Sequence, residues 1–222
     1  MTDPTEAQAK AGAVIVPVTP FQQNCTLLWE AASKKAVVID PGGDVPQIQA
    51  AIKQAGVTVE QIWLTHGHID HVGGAAELRD ALKVQIIGPH IADRFLFDLV
   101  EASGATYGMS GVRNFVPDRW LSEGERVSIG ELTFDILHCP GHSPGSVVYF
   151  NAEMRFAHVG DVLFNGSVGR SDLPGGDHAT LIKSITEKLL PLGDDVGFIC
   201  GHGPGSRIGQ ERMTNPFLTG EM

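Results

Sequence analysis

Apolar residues run in short blocks or alternate with polar ones along most of the chain, and Pro, Asn, Ser and Gly cut these runs to strand length. AVIVPVTP, NCTLLWE and KKAVVIDPGG read as three short strands. The period then changes. In DVPQIQAAIKQAG the residues Val45, Ile48, Ala51, Ile52 and Ala55 recur at helical spacing, and Gly56 supplies the C-terminal cap. VEQIWLT is predicted as a strand, HVGGAAELRDALK as a helix and VQIIG as a strand. Residues 90–103 are again helical in pattern, and residues 104–125 are turn-rich, predicting a loop over one end of the fold. RVSIGELTFDILHCPG, GSVVYFN and MRFAHVGD alternate as antiparallel strands do. DHATLIKSITEKLLPLG reads as a helix, VGFICGHG as a strand and loop, and SRIGQERMT as a short helix. This order predicts an α/β protein with two mostly antiparallel mixed sheets and helices on their outer faces. The domain expected is a single one, residues 13–222, after a flexible tail of residues 1–12.

Composition narrows the class. The chain has 222 residues, 42% of them hydrophobic and 19% charged, as in an ordinary globular domain. Its most apolar segments, such as KVQIIG and DVGFIC, fall far short of the roughly 20 residues needed to span a bilayer. The polar N-terminus has no basic stretch followed by an apolar core, so a cytoplasmic location is expected. Cys25, Cys139 and Cys200 are far apart and odd in number, which predicts no disulfide framework. A net charge of −10 without a Lys/Arg run argues against nucleic acid as the main partner. Nothing in the pattern signals an oligomeric state.

The candidate chemistry begins in LTHGHIDHVGG, where His66, His68, Asp70 and His71 fall within six consecutive positions. Side chains two apart on an extended segment point the same way, so His66 and His68 can reach one ion beyond the strand. Asp70 and His71 fall where the next helix opens. Imidazole and carboxylate suit Zn²⁺, Mn²⁺ or Fe²⁺. Further ligands should lie at strand ends that reach the same edge. CPGHSPGS supplies His142, FAHVGDVLF supplies Asp161 and FICGHGPGS supplies His202, each beside glycine at a strand exit. Seven ligands can hold two ions: one on His66, His68 and His142, the other on Asp70, His71 and His202, with Asp161 bridging.

These ordered motifs, T-H-x-H-x-D-H, P-G-H-[ST]-x-G, a G-D after a strand and a late G-H, resemble the metallo-β-lactamase superfamily from about residue 13 onward. The resemblance implies an αββα sandwich with the metals at one edge of the sheets. VIDPGG is similar to the family's early aspartate motif and would make Asp40 a structural residue behind the ligands. Lactamases of the commonest subclass carry Cys where Asp161 stands and lack a histidine at the His71 position. RNA-processing members carry long insertions or a further nuclease domain, and flavin-linked reductases alter the first histidine motif. VGDVLFNGSVGRSDLPGG resembles the glyoxalase II and persulfide dioxygenase branch, in which a basic residue after the bridging aspartate binds a glutathione carboxylate. Here that residue is Arg170. Typical glyoxalase II continues into a helical domain, and the ending GHGPGSRIGQERMTNPFL is similar to that of compact bacterial glyoxalase II-like hydrolases.

The expected reaction is hydrolysis of a small-molecule thioester, S-D-lactoylglutathione or a related hydroxyacyl-thiol. Two divalent ions, Zn²⁺ first and Fe²⁺ or Mn²⁺ next, would activate water that Asp70 orients. The alternative implied by the same branch is a mononuclear-iron persulfide dioxygenase, with His66, His142 and Asp161 as its ligands; another metallo-hydrolase of the superfamily is a third. Outside the motifs, His90, His138, His158 and His178 read as packed or surface residues, and Cys139 and Cys200 as small residues beneath the site. Trp63, Phe95 and Phe97 read as core. Tyr107, Met109 and Phe115 are expected to line the substrate mouth.

Overall fold

Alternation on the strands builds two sheets with a shared inner face. The computed structural model describes residues 10–220. In its first sheet, β1 (Ala11–Val18), β2 (Gln23–Glu30), β3 (Lys35–Ile39), β4 (Thr58–Trp63) and β5 (Gln85–Ile87) pair in that order. The pairing is antiparallel as far as β3 and parallel beyond it. The second sheet contains β6 (Arg126–Ile129), β7 (Leu132–His138), β8 (Val147–Asn151), β9 (Phe156–His158), β12 (Gly197–Ile199) and β13 (Ser206–Arg207). Its order is β13-β12-β9-β8-β7-β6, with β12 and β9 parallel. A two-stranded hairpin, β10 (Leu163–Phe164) and β11 (Ser167–Val168), lies apart from both.

Residues at alternate positions face opposite layers. Val37 and Ile39 of β3 join Phe134 and Ile136 of β7 and Val147 and Tyr149 of β8 in the core between the sheets. Trp63 stacks on Tyr149 at 4.9 Å and meets Phe134 edge-on at 5.2 Å. The other face of the first sheet packs on α1 (Val45–Ala55), α2 (Ile69–Val72) and α3 (Ala75–Leu82) through residues such as Ile48, Val72 and Leu78. The outer face of the second sheet packs on α6 (His178–Ser184) and α7 (Ile208–Thr214) through Leu181 and Ile208. These layers are the αββα sandwich expected.

Several boundaries differ from the expectation for identifiable reasons. Residues 90–103 are not one helix. A 3₁₀ turn (Ile91–Asp93) leads into α4 (Arg94–Phe97), and after a break the chain enters α5 (Val100–Tyr107). Asn114 makes the break: its side chain donates to the Asp98 carbonyl at 2.9 Å and accepts the Glu101 amide at 2.9 Å, capping α5. The helix expected at residues 71–83 is divided between α2 and α3 at Gly73 and Gly74, where the Gly74 amide turns to Pro41 at 2.9 Å. The predicted tail overlaps β1, which starts at Ala11; residues 1–9 lie outside the described residues. The hairpin β10–β11 and the short α8 (Pro216–Thr219) have no counterpart in the sequence reading. Among the described residues no helix is long and apolar enough to cross a membrane.

Candidate metal centre

The C-terminal ends of β3, β4, β7, β9 and β12 all open onto one edge of the sandwich. β3 and β4 run parallel, β9 and β12 run parallel, and β7 is brought into line with β9 by two antiparallel steps through β8. The loops that follow these strands carry Asp40, His66 to His71, His142, Asp161 and His202 respectively. Backbone bonds join the two sheets here: the Val147 amide donates to Thr65 at 2.8 Å and the Asn24 amide to Gly201 at 2.7 Å. Gly201 is required by close approach, because a Cβ there would run into the Asp161 carboxylate and come within 2.6 Å of His71 Cε1.

Six of the seven sequence-predicted ligands fall into two groups, and the seventh, Asp161, lies between them. His66, His68 and His142 form one, and Asp70, His71 and His202 the other, with the donor atoms of each group within 4.8 Å of one another. His142 Nε2 lies 3.2 Å from His66 Nε2 and 2.8 Å from His68 Nδ1. His202 Nε2 lies 3.2 Å from Asp70 Oδ2, and His71 Nε2 lies 3.8 Å from that same oxygen. Asp161 sits between the groups, 3.6 Å from His142 Nε2, 3.3 Å from His71 Nε2 and 3.5 Å from His202 Nε2. Bonds of roughly 2.0–2.1 Å to one tetrahedral ion place donors about 3.3 Å apart, so these spacings fit metal ligation.

The opposite ring nitrogens decide which lone pairs are presented. His142 Nδ1 lies 2.7 Å from the Arg170 carbonyl and His202 Nδ1 lies 3.2 Å from the Phe21 carbonyl. A carbonyl only accepts, so each Nδ1 carries the proton and each Nε2 is free to ligate. His71 Nδ1 donates to Asp40 Oδ2 at 2.8 Å. The Thr65 hydroxyl donates to the same oxygen at 2.6 Å and is left to accept from His66 Nδ1 at 3.0 Å. One buried carboxylate thus orients a ring in each group, as carboxylates behind metal-ligating histidines do. Asp40 also clusters with His66 and His71, but its oxygens are spent on Thr65 and on the far nitrogen of His71. It is a support rather than a ligand. Asp40 is held at φ +52°, the left-handed region that aspartate tolerates better than most residues.

Two buried atoms lack any hydrogen-bond partner at the centre of this cluster, His71 Nε2 and Asp161 Oδ1. Buried polar atoms are rarely left so, and a cation between them would satisfy both. The electrostatics agree. Burial, reinforced by neighbouring imidazoles, holds His66 well below its ordinary value and takes His68 down to about 3; burial also lowers His142. Those three rings are neutral, the ligating form. Burial opposes the charge on His71 and His202 too, but the carboxylates of Asp161 and Asp70 outweigh it and raise both. Asp161 is pushed up by burial and brought well below the usual range by His71, His142 and His202.

The cluster floors a cleft of about 760 Å³. Arg170 lines it as expected, yet its guanidinium is paired bidentately with Asp172 at 2.7 and 2.8 Å. Tyr107 lines it also. Phe115 does not: it is buried edge-on to Phe97 at 5.1 Å. Met109 packs beneath the loops at Gly43 and Gly73. Phe95, expected in the core, faces the cleft, whereas Trp63 and Phe97 are buried. The bland histidines behave as expected: His90 stacks on His138 at 4.0 Å and His158 is buried. Burial pushes the thiols of Cys139 and Cys200 up to about 12 and about 11, so neither is a nucleophile at neutral pH.

Asp93 escapes sequence reasoning. Its buried carboxylate accepts the amides of Gly67 and Gly145 and the Ser143 hydroxyl, binding the first histidine loop to the His142 loop. No local signal in HIADRF distinguishes it from a surface acid.

Residues 18–202 match the family profile described as the metallo-beta-lactamase superfamily. The chain is 45% identical over 205 residues to the hydroxyacylglutathione hydrolase GloC of Haemophilus influenzae, covering 92% of this chain and 96% of that one. It is similar to the crystal structure of the BLEG-1 B3 metallo-beta-lactamase, with a TM-score of 0.86 and 38% identity over 94% of this chain and 100% of that one. It is likewise similar to TTHA1623 in a di-iron-bound form, with a TM-score of 0.84 and 38% identity over 92% and 100% of the two chains.

Proposed function

The chain belongs to the metallo-β-lactamase superfamily as a hydrolase, and from that premise we propose that it hydrolyses thioesters of the glyoxalase II type, S-D-lactoylglutathione or a related hydroxyacyl-thiol. The observation that carries this reading is the pair of ligand groups sharing Asp161 on the floor of an open cleft. His66, His68 and His142 would hold one divalent ion and Asp70, His71 and His202 the other, with Asp161 between them. Zn²⁺ is the first candidate, and Fe²⁺ or Mn²⁺ suits the same donors. Such ions polarise a carbonyl and lower the pKa of water.

The protein's own groups do the rest. Asp40 and Thr65 keep His66 and His71 in the ligating tautomer. Asp70, whose side chain is 18% exposed and lines the cleft, would orient the water. The departing thiolate has a pKa near about 8.5, so the cleft needs no strong general acid. Arg170, released from Asp172, would take a remote carboxylate of the substrate.

A mononuclear site on His66, His142 and Asp161, as a persulfide dioxygenase would use, leaves the buried His71 Nε2 with no metal and no aligned hydrogen-bond partner. That favours two ions. The similarity to BLEG-1 makes a β-lactam the second substrate class to assay.

The deciding experiment is hydrolysis of S-D-lactoylglutathione by protein reconstituted separately with Zn²⁺ and Fe²⁺, with Asp161→Ala as the blank. Turnover lost in the variant is the expected result. No turnover with either metal overturns S-D-lactoylglutathione as the substrate, and oxygen uptake with glutathione persulfide then identifies the dioxygenase.

A further inference from the structure

The walls of the cleft are unlike its floor. α4 and the turn after it present Phe95, Leu96 and Leu99 to it, and Phe164 and Leu173 line it as well. Leu96 also packs on Gly67, where a Cβ would meet Leu96 Cβ at 2.9 Å, so the apolar wall begins beside His66 and His68. Phe95 and Leu99 remain 36% and 50% exposed. Exposed large apolar side chains gathered around a concave site, rather than scattered, mark a ligand surface.

Cations are scarce by comparison. Arg170 is the one Lys or Arg among the described residues that line the cleft, and its fork is occupied by Asp172. Tyr107 lines the same cleft and adds a phenol hydroxyl to the one guanidinium. The net charge of −10 adds no attraction for an anion. The lining therefore offers one guanidinium to an anionic thiol arm and several large apolar side chains to the other arm.

Resting on the thioester reading above, we propose that the cleft selects thioesters with an apolar acyl arm, seated on Phe95, Leu96 and Leu99, over small hydroxyacyl ones. The thiol arm takes Arg170. A cleft of about 760 Å³ has room for both arms, whereas a lactoyl group would leave the apolar wall wet.

The test holds the thiol constant and varies the acyl group: S-acetyl-, S-butyryl-, S-hexanoyl- and S-D-lactoylglutathione with the Zn²⁺-reconstituted protein. kcat/KM should rise by about fourfold per methylene buried, placing butyryl and hexanoyl above lactoyl. Leu96→Asn and Leu99→Asn, each at a position that is not fully buried, should flatten the series, with thermal melting to confirm that the variants fold. A flat or falling series in the native protein, or lactoyl ahead of butyryl, overturns this inference and leaves the thioester reading intact. Failure to hydrolyse any member with either Zn²⁺ or Fe²⁺ overturns both.

Discussion

Asp93 accepts the backbone amide of Gly67 at 2.8 Å. Through its other contacts, Gly145 N at 2.5 Å and Ser143 Oγ at 2.8 Å, the same carboxylate holds the loop of His142. One buried acid therefore sets the spacing between His66, His68 and His142. Asp93→Ala strands the Gly67 and Gly145 amides in the interior, the Ser143 hydroxyl keeping Ser146, and should cost about 3 kcal/mol, with metal affinity down roughly 10–100-fold. Thermal melting and competition with a chelator measure the two effects. Native affinity in Asp93→Ala would show that the loops hold their positions without it.

The same residue gives a pH signature. Burial raises Asp93 to about 6, against the pull of Ser143 and the two amides. A raised folded value means that the native state binds the proton more tightly than the unfolded chain. The associated stability is fully present below about pH 4 and is lost as pH rises through about 6. With a shift of about two units, the loss is about 3 kcal/mol. Relative to Asp93→Asn, the metal-free native protein should lose ground between pH 4 and 7 in denaturant titrations. A pH-independent difference between the two would contradict this.

Metal uptake should release protons from one ligand group and not the other. His66, His68 and His142 are held neutral by burial, whereas His71 and His202 are raised beside Asp161 and Asp70. Near pH 7 His71 must therefore deprotonate to ligate, and His202 holds its proton to higher pH than a free imidazole. Calorimetric titration of Zn²⁺ in buffers of different ionisation enthalpy should find protons released, and fewer in His202→Ala. No buffer dependence would mean that all five rings are already neutral.

The seven candidate ligands are legible because their chemistry is local: a dense histidine motif at a strand exit, and single His or Asp residues beside glycine at three others. Sheet parity then brings those exits to one edge. Asp93 is illegible for the opposite reason, since its partners lie 26 to 52 positions away. The break between α4 and α5 is likewise set by Asn114, from outside the segment. Phe95 and Phe97 are two positions apart, and on a helical turn they cannot share a face. Phe97 takes the core and Phe95 is left to the cleft.

Asp40→Asn tests the shared support. Asp40 Oδ2 receives both the His71 ring proton and the Thr65 hydroxyl. An amide in its place has one acceptor oxygen, and its NH₂ would face donors. His71 can then rotate or change tautomer, and the Thr65 hydroxyl no longer has a fixed direction for His66. Metal affinity should fall roughly 10–100-fold, with the loss larger for the ion on Asp70, His71 and His202. Stepwise chelator removal followed by metal analysis separates the two ions. Equal loss of both would mean that the Asp40 contact acts on the whole edge.

Arg170 and Asp172 give the sharpest kinetic contrast. Their bidentate pair at 2.7 and 2.8 Å is solvent-exposed, so it contributes little to folding. Its consequence is for binding: a substrate carboxylate must displace Asp172 to reach the guanidinium. Asp172→Ala should therefore lower KM for S-D-lactoylglutathione, and Arg170→Ala should raise it by about threefold to tenfold, with kcat little changed in both. A contact made equally in the ground and transition states moves KM alone. The double variant should match Arg170→Ala, because Asp172 acts only through the arginine. If Arg170→Ala instead lowers kcat with KM intact, the side chain is not gripping a remote carboxylate. The loss would then be traced to its carbonyl, which holds His142 Nδ1 at 2.7 Å.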